Sequence, residues 1–356
     1  MKVGIAYHEK YCQYDLGAGH PFRGDRFVNA MRLFEEQGLF RLPNVTMMEP
    51  KPVTEQGLLR VHDKDYVDLI FHLAEKSKRY DMETPVSPQI LEAARLIVGG
   101  ALEAGRAVYE RRVERAVALG CGYHHAGRNY GGGFCLFNDI AVLVEHLRDK
   151  YGLNRALIID YDVHFGNGTS DIYYSDSSVL YISLHQDPRT LYPGTGFVEQ
   201  VGKGEGEGYN VNVPLPPGTG DQTYLYALKE IFVPLAKEFK PDLIVANGGS
   251  DPHFADTLGG LRLTVDGFFN LSQTIAHTAE KTCQNKLVLM PGSGYNPMVL
   301  PPCWFALTAG VIGYEIISVS DPYTPPAESD LARRTVENTL ANLKRILRKY
   351  WKCFKR

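Results

Sequence analysis

The amino-acid sequence predicts an α/β fold, in which an open and mostly parallel sheet is flanked by helices. Short β-branched runs alternate with longer segments of helical periodicity, which favours repeated strand–helix units. The short runs lack strict polar alternation, as expected of strands buried on both faces. No Ser- or Gly-rich linker divides the 356 residues, so we predict a single domain over 1–356.

The predicted elements follow in chain order. Apolar runs predict strands at 3–7, 115–119, 156–159, 179–184, 243–246 and 287–290, and an extended segment at 209–216. Helical spacing predicts helices at 25–40, 89–112, 139–151, 223–239, 265–281 and 303–317. The sequence predicts a loop at 321–330 that leads to a C-terminal helix at 331–351. The apolar residues of this helix recur at helical spacing, so we expect it to pack against the rest of the domain.

Composition argues against several classes of protein. The formal net charge of -3 gives no electrostatic case for nucleic-acid binding. No apolar stretch approaches the roughly 20 residues that span a bilayer, and "MKVGIAYHEKY" lacks the apolar region of a signal peptide. The six cysteines form no Cys-x-x-Cys pair, so we expect reduced thiols in a cytoplasmic protein. The basic end "KRILRKYWKCFKR" reads as a solvated helix terminus.

Ligands of open parallel sheets bind beyond the carboxyl ends of the strands. Five segments near such ends combine glycine with ionisable, polar or aromatic residues: "GCGYHHAGRNYGGGF", "DYDVHFGNG", "SLHQDPRTLYPGTG", "NGGSDPHFADTLGG" and "PGSGYNP". This accumulation predicts one site assembled from five loops.

A metal-ligating set follows the strand at 156–159. Asp160, Asp162 and His164 alternate, and residues two apart on a strand share a face, so we expect them to converge. Imidazole with carboxylate oxygens suits Zn²⁺, with Fe²⁺ or Mn²⁺ as alternatives. Asp251, in "NGGSDP", is the candidate for a further ligand. Alternatively, these carboxylates could have a purely structural role and cap the turn after the strand. The presence of two Asp and one His at the end of a single strand argues against that role.

Acid/base groups are predicted in two other loops. His124 and His125 stand between Gly122 and Gly127, and imidazole suits proton transfer at neutral pH. Tyr295, between glycines, offers a hydroxyl to an oxyanion. A single His or Tyr in such a loop more often has a structural role. Here these residues occur together with a predicted metal-ligating set, and this combination favours a catalytic role. Nucleophile-elbow, Walker A and dinucleotide motifs are absent from the sequence.

The ordered set "HHAGRNYGGGFCLFND", "IDYDVHFGNG", "SLHQDPRTLYPGTG", "NGGSDPHFADTLGG" and "PGSGYNP" resembles the histone deacetylase superfamily, including its acetoin-utilisation proteins and acetylpolyamine amidohydrolases. With "HPFRGDR", the resemblance covers about 3–313. It implies a single deacetylase-like domain with an arginase-like three-layer fold. It also implies a zinc-dependent amidohydrolase that removes acetyl or short acyl groups from acyl-lysine in proteins or peptides. Acetylpolyamines or other small acetylated amines are the alternative substrates.

The resemblance also implies roles for particular residues. Zn²⁺, or Fe²⁺, would be held by Asp162, His164 and Asp251. The catalytic residues would be His125 as general base, His124 as electrostatic helper, Asp160 orienting His124, Asn167 beside His125, and Tyr295 as oxyanion donor. A structural K⁺ would be held by Asp160, Ser183 and the backbone carbonyls of Asp162, His164 and Leu184. The substrate would be lined by Gly133, Phe134, Tyr192 and, at the rim, Leu258, with Arg26 in an acetate channel.

Three positions depart from the pattern of the nuclear, class I-like members. Asn167 replaces an Asp beside the general base, which should leave His125 less basic. Phe165 replaces a second His, and "NGGSD" leaves Ser250 where small or aromatic residues are common. At the rim, Leu258 stands where a polyamine-selective member of the family has an acidic residue. These departures favour prokaryote-like members, and Leu258 favours acyl-lysine. A binuclear-Mn ureohydrolase would need further bridging carboxylates, and a non-catalytic binder would not need the histidine pair.

Overall fold

An eight-stranded sheet forms the centre of the protein, in a computed structural model that describes residues 1–315 and 317–355. Its strands are β1 (Val3–Ala6), β2 (Val45–Met48), β3 (Arg115–Ala118), β4 (Ala156–Asp160), β5 (Val179–Gln186), β6 (Asn210–Leu215), β7 (Leu243–Gly249) and β8 (Leu287–Ser293). They lie in the order β2-β1-β3-β8-β7-β4-β5-β6, and every neighbouring pair is parallel. The predicted α/β fold with a parallel sheet is confirmed.

Helices cover this sheet in two groups. The α-helices are α1 (Asp25–Glu36), α2 (Glu55–Leu58), α3 (Lys64–Glu75), α4 (Pro88–Tyr109), α5 (Asp139–Tyr151), α6 (Asn167–Tyr173), α7 (Asp221–Phe239), α8 (Val265–Cys283), α9 (Leu300–Ile312) and α10 (Asp330–Leu347). In one group, α3 contacts α4, α4 contacts α5, and α5 contacts α6. In the other group, α1 contacts α9, α9 contacts α8, α8 contacts α7, and α7 contacts α10. Six of the strands are buried along their whole length. Burial on both faces explains why most of them lack a regular alternation of apolar and polar residues.

The element predictions differ from the structure mainly at one edge strand, at three helices and at one pair of helix ends. The edge strand β2 was not predicted, because its two middle residues are exposed and it has no apolar run. Helices α2, α3 and α6 were also missed. The helix expected at 303–317 begins at Leu300 and ends at Ile312, where Gly313 adopts the left-handed conformation that stops a helix. Residue 316 of that prediction lies outside the described residues.

In the C-terminal segment, helix α10 packs against strand β6 of the sheet and against helix α7. Beyond α10, Trp351 is buried, its ring lies 5.2 Å from that of Tyr209, and its Nε1 donates to the Gly208 carbonyl over 2.8 Å. Glu238 on α7 accepts hydrogen bonds from the backbone N–H groups of Lys352 and Cys353. Within the described ranges, no helix is long and apolar enough to cross a membrane.

Replacing Trp351 by Ala should reduce the free energy of unfolding by about 3–5 kcal/mol, because a buried indole and its hydrogen bond are lost together. Urea unfolding followed by circular dichroism measures the change. Lys349→Ala, at an exposed position of the same segment, serves as the control and should change stability by less than about 0.5 kcal/mol. Equal stability of Trp351→Ala and wild type would show that this segment does not contribute to the core.

Candidate active site

The order of the parallel strands brings the predicted loops together. Strands β3, β8, β7, β4 and β5 are consecutive neighbours in the middle of the sheet. Since all of them run in the same direction, their carboxyl ends meet at one edge. The loops after these five strands carry the histidine pair, Tyr295, Asp251, the Asp162–His164 turn and Tyr192, so one cleft receives side chains from five distant parts of the chain.

Asp162, His164 and Asp251 form a buried cluster at this edge. One ligand atom from each lies within 4.8 Å of the others. His164 Nδ1 lies 3.1 Å from Asp162 Oδ1 and 3.3 Å from Asp251 Oδ2. The expectation that Asp160, Asp162 and His164 share one strand face is wrong, because β4 ends at Asp160 and the next residues turn. In that turn the His164 N–H donates to Asp162 Oδ1 over 2.8 Å.

The donor set fits one divalent cation. Ligands held tetrahedrally at about 2.0–2.1 Å from a zinc ion are separated by roughly 3.3 Å, close to both distances measured around His164 Nδ1. Asp251 Oδ2 is buried and has no hydrogen-bond partner among the described residues. Burial opposes a charged His164, but Asp162 and Asp251 outweigh it and raise its pKa to about 10. The cluster therefore favours positive charge at its centre, as a metal site should.

The histidine pair lies next to this cluster. His124 Nδ1 lies 2.8 Å from Asp160 Oδ2, and its Nε2 lies 3.1 Å from His125 Nε2. On the other side of His125, Nδ1 lies 2.7 Å from Asn167 Oδ1. Burial opposes a charged His124, but Asp160 and nearby charge raise its pKa to about 9. Burial and the charge on His124 hold the pKa of His125 well below its usual value. The arrangement pairs a charged imidazole with a neutral one.

A buried carboxylate holds the loop of the histidine pair in place. The N–H groups of Gly122 and Tyr123 each donate to Asp139 over 2.8 Å. The neighbouring Asn138 caps α5 and donates to the Ala126 carbonyl over 2.9 Å. Sequence reasoning missed both residues. Their signal was the "ND" pair at the start of the helix predicted at 139–151, where Asn is a frequent cap.

Tyr295 is placed by a second buried carboxylate that sequence reasoning missed. Asp256 accepts hydrogen bonds from the N–H groups of Tyr295 and Asn296 over 2.7 and 3.2 Å. Its other oxygen accepts from the Leu258 N–H over 3.0 Å, which fixes the rim position. The Tyr295 ring lies 6.4 Å from that of His164. One carboxylate thus orders both the predicted oxyanion donor and the predicted rim.

Aromatic rings and a glycine line the approach to the histidines. The Tyr192 ring lies 5.0 Å from the His125 ring and its side chain is 50% exposed, so it stands at the mouth. The Phe134 ring lies 5.9 Å from that of Tyr295. Gly133 has φ of 50°, and a Cβ there would lie 2.2 Å from His125 Cδ2. A side chain at this position would collide with the imidazole, so the close approach requires glycine.

Arg26 lies buried behind Tyr295. Its guanidinium donates to the carbonyls of Gly292 and Gly294 and stacks 3.8 Å from the centre of the Phe22 ring. The distance from the guanidinium to the centre of the Tyr295 ring is 5.3 Å. The predicted channel residue is therefore on the inner side of the cleft, opposite the mouth.

The residues predicted to hold a monovalent cation lie on β4, in the turn that follows it, and on β5. Asp160 and Ser183 are register partners on these strands. The Ser183 hydroxyl lies 2.8 Å from His185 Nδ1, and the Leu184 carbonyl accepts from the Tyr224 hydroxyl over 3.1 Å. These oxygens are the ligand type that hard cations prefer, and the K⁺ site stays a prediction.

Known proteins similar to this chain include probable deacetylases and acetoin utilization proteins. The family model "Histone deacetylase domain" matches residues 20–311. The chain is 37% identical over 365 residues to a probable deacetylase of Archaeoglobus fulgidus, with 100% of both chains covered. It is 32% identical over 327 residues to the acetoin utilization protein AcuC of Staphylococcus aureus, covering 89% of this chain and 83% of that one. The crystal structure of the HDA15 HD domain matches with a TM-score of 0.86 and 28% identity, over 99% of this chain and 97% of that one.

Proposed function

The chain belongs to the histone deacetylase family, and we propose that it is a zinc-dependent amidohydrolase acting on acyl-lysine in proteins or peptides. It would remove acetyl or other short acyl groups. The observation that carries the proposal is the buried cluster of Asp162, His164 and Asp251 beside the buried imidazole of His125. In the described part of the chain, this is the one cluster of at least three His, Cys, Asp or Glu ligands, which supports a mononuclear hydrolase over a binuclear ureohydrolase.

In the proposed mechanism, different residues of the cleft bind the metal ion and transfer the proton. A divalent ion held by Asp162, His164 and Asp251 supplies, when bound, Lewis-acid polarisation of the amide carbonyl and of a water molecule. His125 accepts the proton of the attacking water at Nε2, since its Nδ1 is held by Asn167 at 2.7 Å, whereas Nε2 has the longer, 3.1 Å contact with His124 Nε2. The same nitrogen then delivers the proton to the leaving amine.

The remaining residues stabilise charge and hold the substrate. His124, kept charged by Asp160, contributes positive potential next to the reacting carbonyl. The Tyr295 hydroxyl donates to the oxyanion that develops there. Gly133, Phe134 and Tyr192 supply a narrow apolar passage suited to the aliphatic chain of lysine, with Leu258 at the rim. Arg26, on the inner side, would accompany acetate as it leaves.

We further propose that residues 1–356 form a single deacetylase-like domain in the cytoplasm, with K⁺ bound at Asp160, Asp162, His164, Ser183 and Leu184. One continuous sheet supports the single domain. The six cysteines are free, which supports a reducing compartment. The alternative substrates, acetylpolyamines and other small acetylated amines, would need a carboxylate at the mouth. Leu258 does not supply one, so that role would fall to an acidic residue of another loop, such as Asp81 or Glu83. Burial raises the pKa of Tyr192 at the mouth, and the charges of these two residues raise it further.

A hydrolysis panel with metal analysis tests the function. Acetyl-lysine peptides, longer acyl-lysine peptides and acetylpolyamines are offered to the protein purified without chelator, and bound metal is measured in the same preparation. We expect bound zinc and the highest kcat/KM on acetyl-lysine peptides. A strong preference for acetylpolyamines would contradict the proposed substrate, and hydrolysis by metal-free protein would contradict the proposed mechanism.

Tyr295→Phe should lower kcat by about 100- to 1000-fold with little change in KM, because one oxyanion donor is lost. Steady-state kinetics on the best peptide of the panel measures both constants. Tyr226→Phe, at a half-exposed position on α7, is the matched control and should behave as wild type. An unchanged kcat in Tyr295→Phe would remove this residue from the mechanism.

A further inference from the structure

His125 begins a row of four side chains joined by hydrogen bonds. Its Nδ1 lies 2.7 Å from Asn167 Oδ1. Asn167 Nδ2 donates to the Tyr130 hydroxyl over 3.2 Å, and that hydroxyl donates to Asp171 Oδ2. The row leads from a buried imidazole to an exposed carboxylate. We call Tyr130 and Asp171 together the amide clamp.

The protein backbone builds the amide clamp from two elements. Asn167 and Asp171 are four residues apart on α6, so their side chains lie on one face of the helix. Tyr130 comes from the same loop as His125, where its carbonyl accepts from the Gly127 N–H over 2.9 Å. A Cβ at Gly127 would lie 2.3 Å from Tyr130 Cε1, so the ring is packed tightly against its own loop. Both ends of the row are therefore held by main-chain structure.

The positions of the protons in the row follow from the carboxylate of Asp171 at its exposed end. An ionised carboxylate offers only acceptors, so the Tyr130 O–H must point toward Asp171. The tyrosine oxygen then faces Asn167 with a lone pair, and the amide must turn its NH₂ toward Tyr130. Its oxygen is left facing His125, and an amide oxygen only accepts. His125 therefore carries its proton on Nδ1 and keeps a lone pair on Nε2, the tautomer that also suits the contact of Nε2 with His124 Nε2 at 3.1 Å.

We propose that Tyr130 and Asp171 are positioning residues that fix the amide orientation of Asn167 and, through it, the tautomer of His125. The orientation of residue 167 must be fixed because its side chain is an amide. A carboxylate presents an acceptor oxygen whichever way it turns, whereas an amide has one donating and one accepting end of similar shape. A reversed Asn167 would place its NH₂ against His125 and impose the tautomer that cannot take a proton at Nε2. The catalytic consequence rests on the proposed function, in which His125 is the base.

Tyr130→Phe tests the amide clamp by removing one hydroxyl. We expect kcat to fall by about 10- to 100-fold, the usual range for a lost supporting partner, with KM unchanged. Tyr151→Phe is the matched control, because that hydroxyl also donates to a carboxylate, Glu110, over 2.6 Å but lies on α5. In an Asn167→Asp background, Tyr130→Phe should change kcat by less than about threefold, since a carboxylate has no orientation to fix.

The imidazole ¹⁵N chemical shifts of His125 give a readout that does not depend on activity. With the signals assigned by their absence in His125→Ala, wild type should show a protonated Nδ1 and an unprotonated Nε2. Tyr130→Phe should show a mixture of tautomers. An unaltered tautomer in Tyr130→Phe, or an equal loss of kcat with and without the Asn167→Asp substitution, would overturn the proposal. If wild type hydrolyses no acyl amide, the proposed function fails, and the shifts still decide whether the clamp fixes the tautomer.

Discussion

Asp251→Asn should reduce amide hydrolysis by about a thousandfold or more, because Lewis-acid catalysis supplies several kcal/mol of transition-state stabilisation. Asp251 is buried and one of its oxygens lacks a hydrogen-bond partner within the described ranges. Its replacement removes a charged ligand from a site that depends on two carboxylates. Elemental analysis should show one divalent ion per chain in wild type and almost none in the variant.

The same expectation extends to metal removal from the unaltered protein. Chelation should abolish activity, and added Zn²⁺ should restore it in wild type but not in Asp251→Asn. Asp266→Asn, at an exposed position in the first turn of α8, is the control and should keep both metal and activity. Full activity in chelated, metal-free wild type would contradict the metal-dependent mechanism.

His125→Ala should lower kcat by about 100- to 10,000-fold, the range for loss of a general acid/base. Asn167 occupies its Nδ1, so we expect Nε2, which lies 3.1 Å from His124 Nε2, to accept the proton of the attacking water. The imidazole is not a member of the metal cluster, so metal content should stay at the wild-type level. That separation distinguishes loss of the base from loss of the ion.

Kinetics and elemental analysis of the same preparation measure both quantities. His277→Ala, at an exposed position on α8, is the control and should leave kcat and metal content unchanged. Turnover of His125→Ala at the wild-type rate would show that another group accepts the proton. Loss of metal in His125→Ala would show that the variant disturbs the cluster as well as the proton transfer.

Much of the site could be predicted because its residues sit at predictable places in a parallel sheet. Asp251 and Tyr295 follow strands whose apolar runs are plain in the sequence, and the structure places them at the same edge as His125. The geometry after β4 was predicted less well. Asp162 and His164 converge through a turn and not through strand alternation, and periodicity does not reveal where a strand stops.

The supporting residues had no comparable signal. Asp256 acts on backbone N–H groups about forty positions away, and no local pattern distinguishes it from the other acidic residues. Tyr130 is one of 21 tyrosines, and its partners Asn167 and Asp171 reach it only after α6 has packed beside the histidine loop. Such roles depend on tertiary contact, so they appear only when the fold is known.

The pairing of β3 with β8 also determines when the cleft comes into being. These strands are neighbours in space although about 170 positions separate them along the chain, so a very long loop must close before they meet. Contacts of this kind form late and slow the folding of parallel sheets. During synthesis, the histidine loop emerges long before the Tyr295 loop. A nascent chain therefore acquires its complete cleft only after most of the polypeptide has left the ribosome, and a translation product that stops before β8 lacks the Tyr295 side of the site altogether.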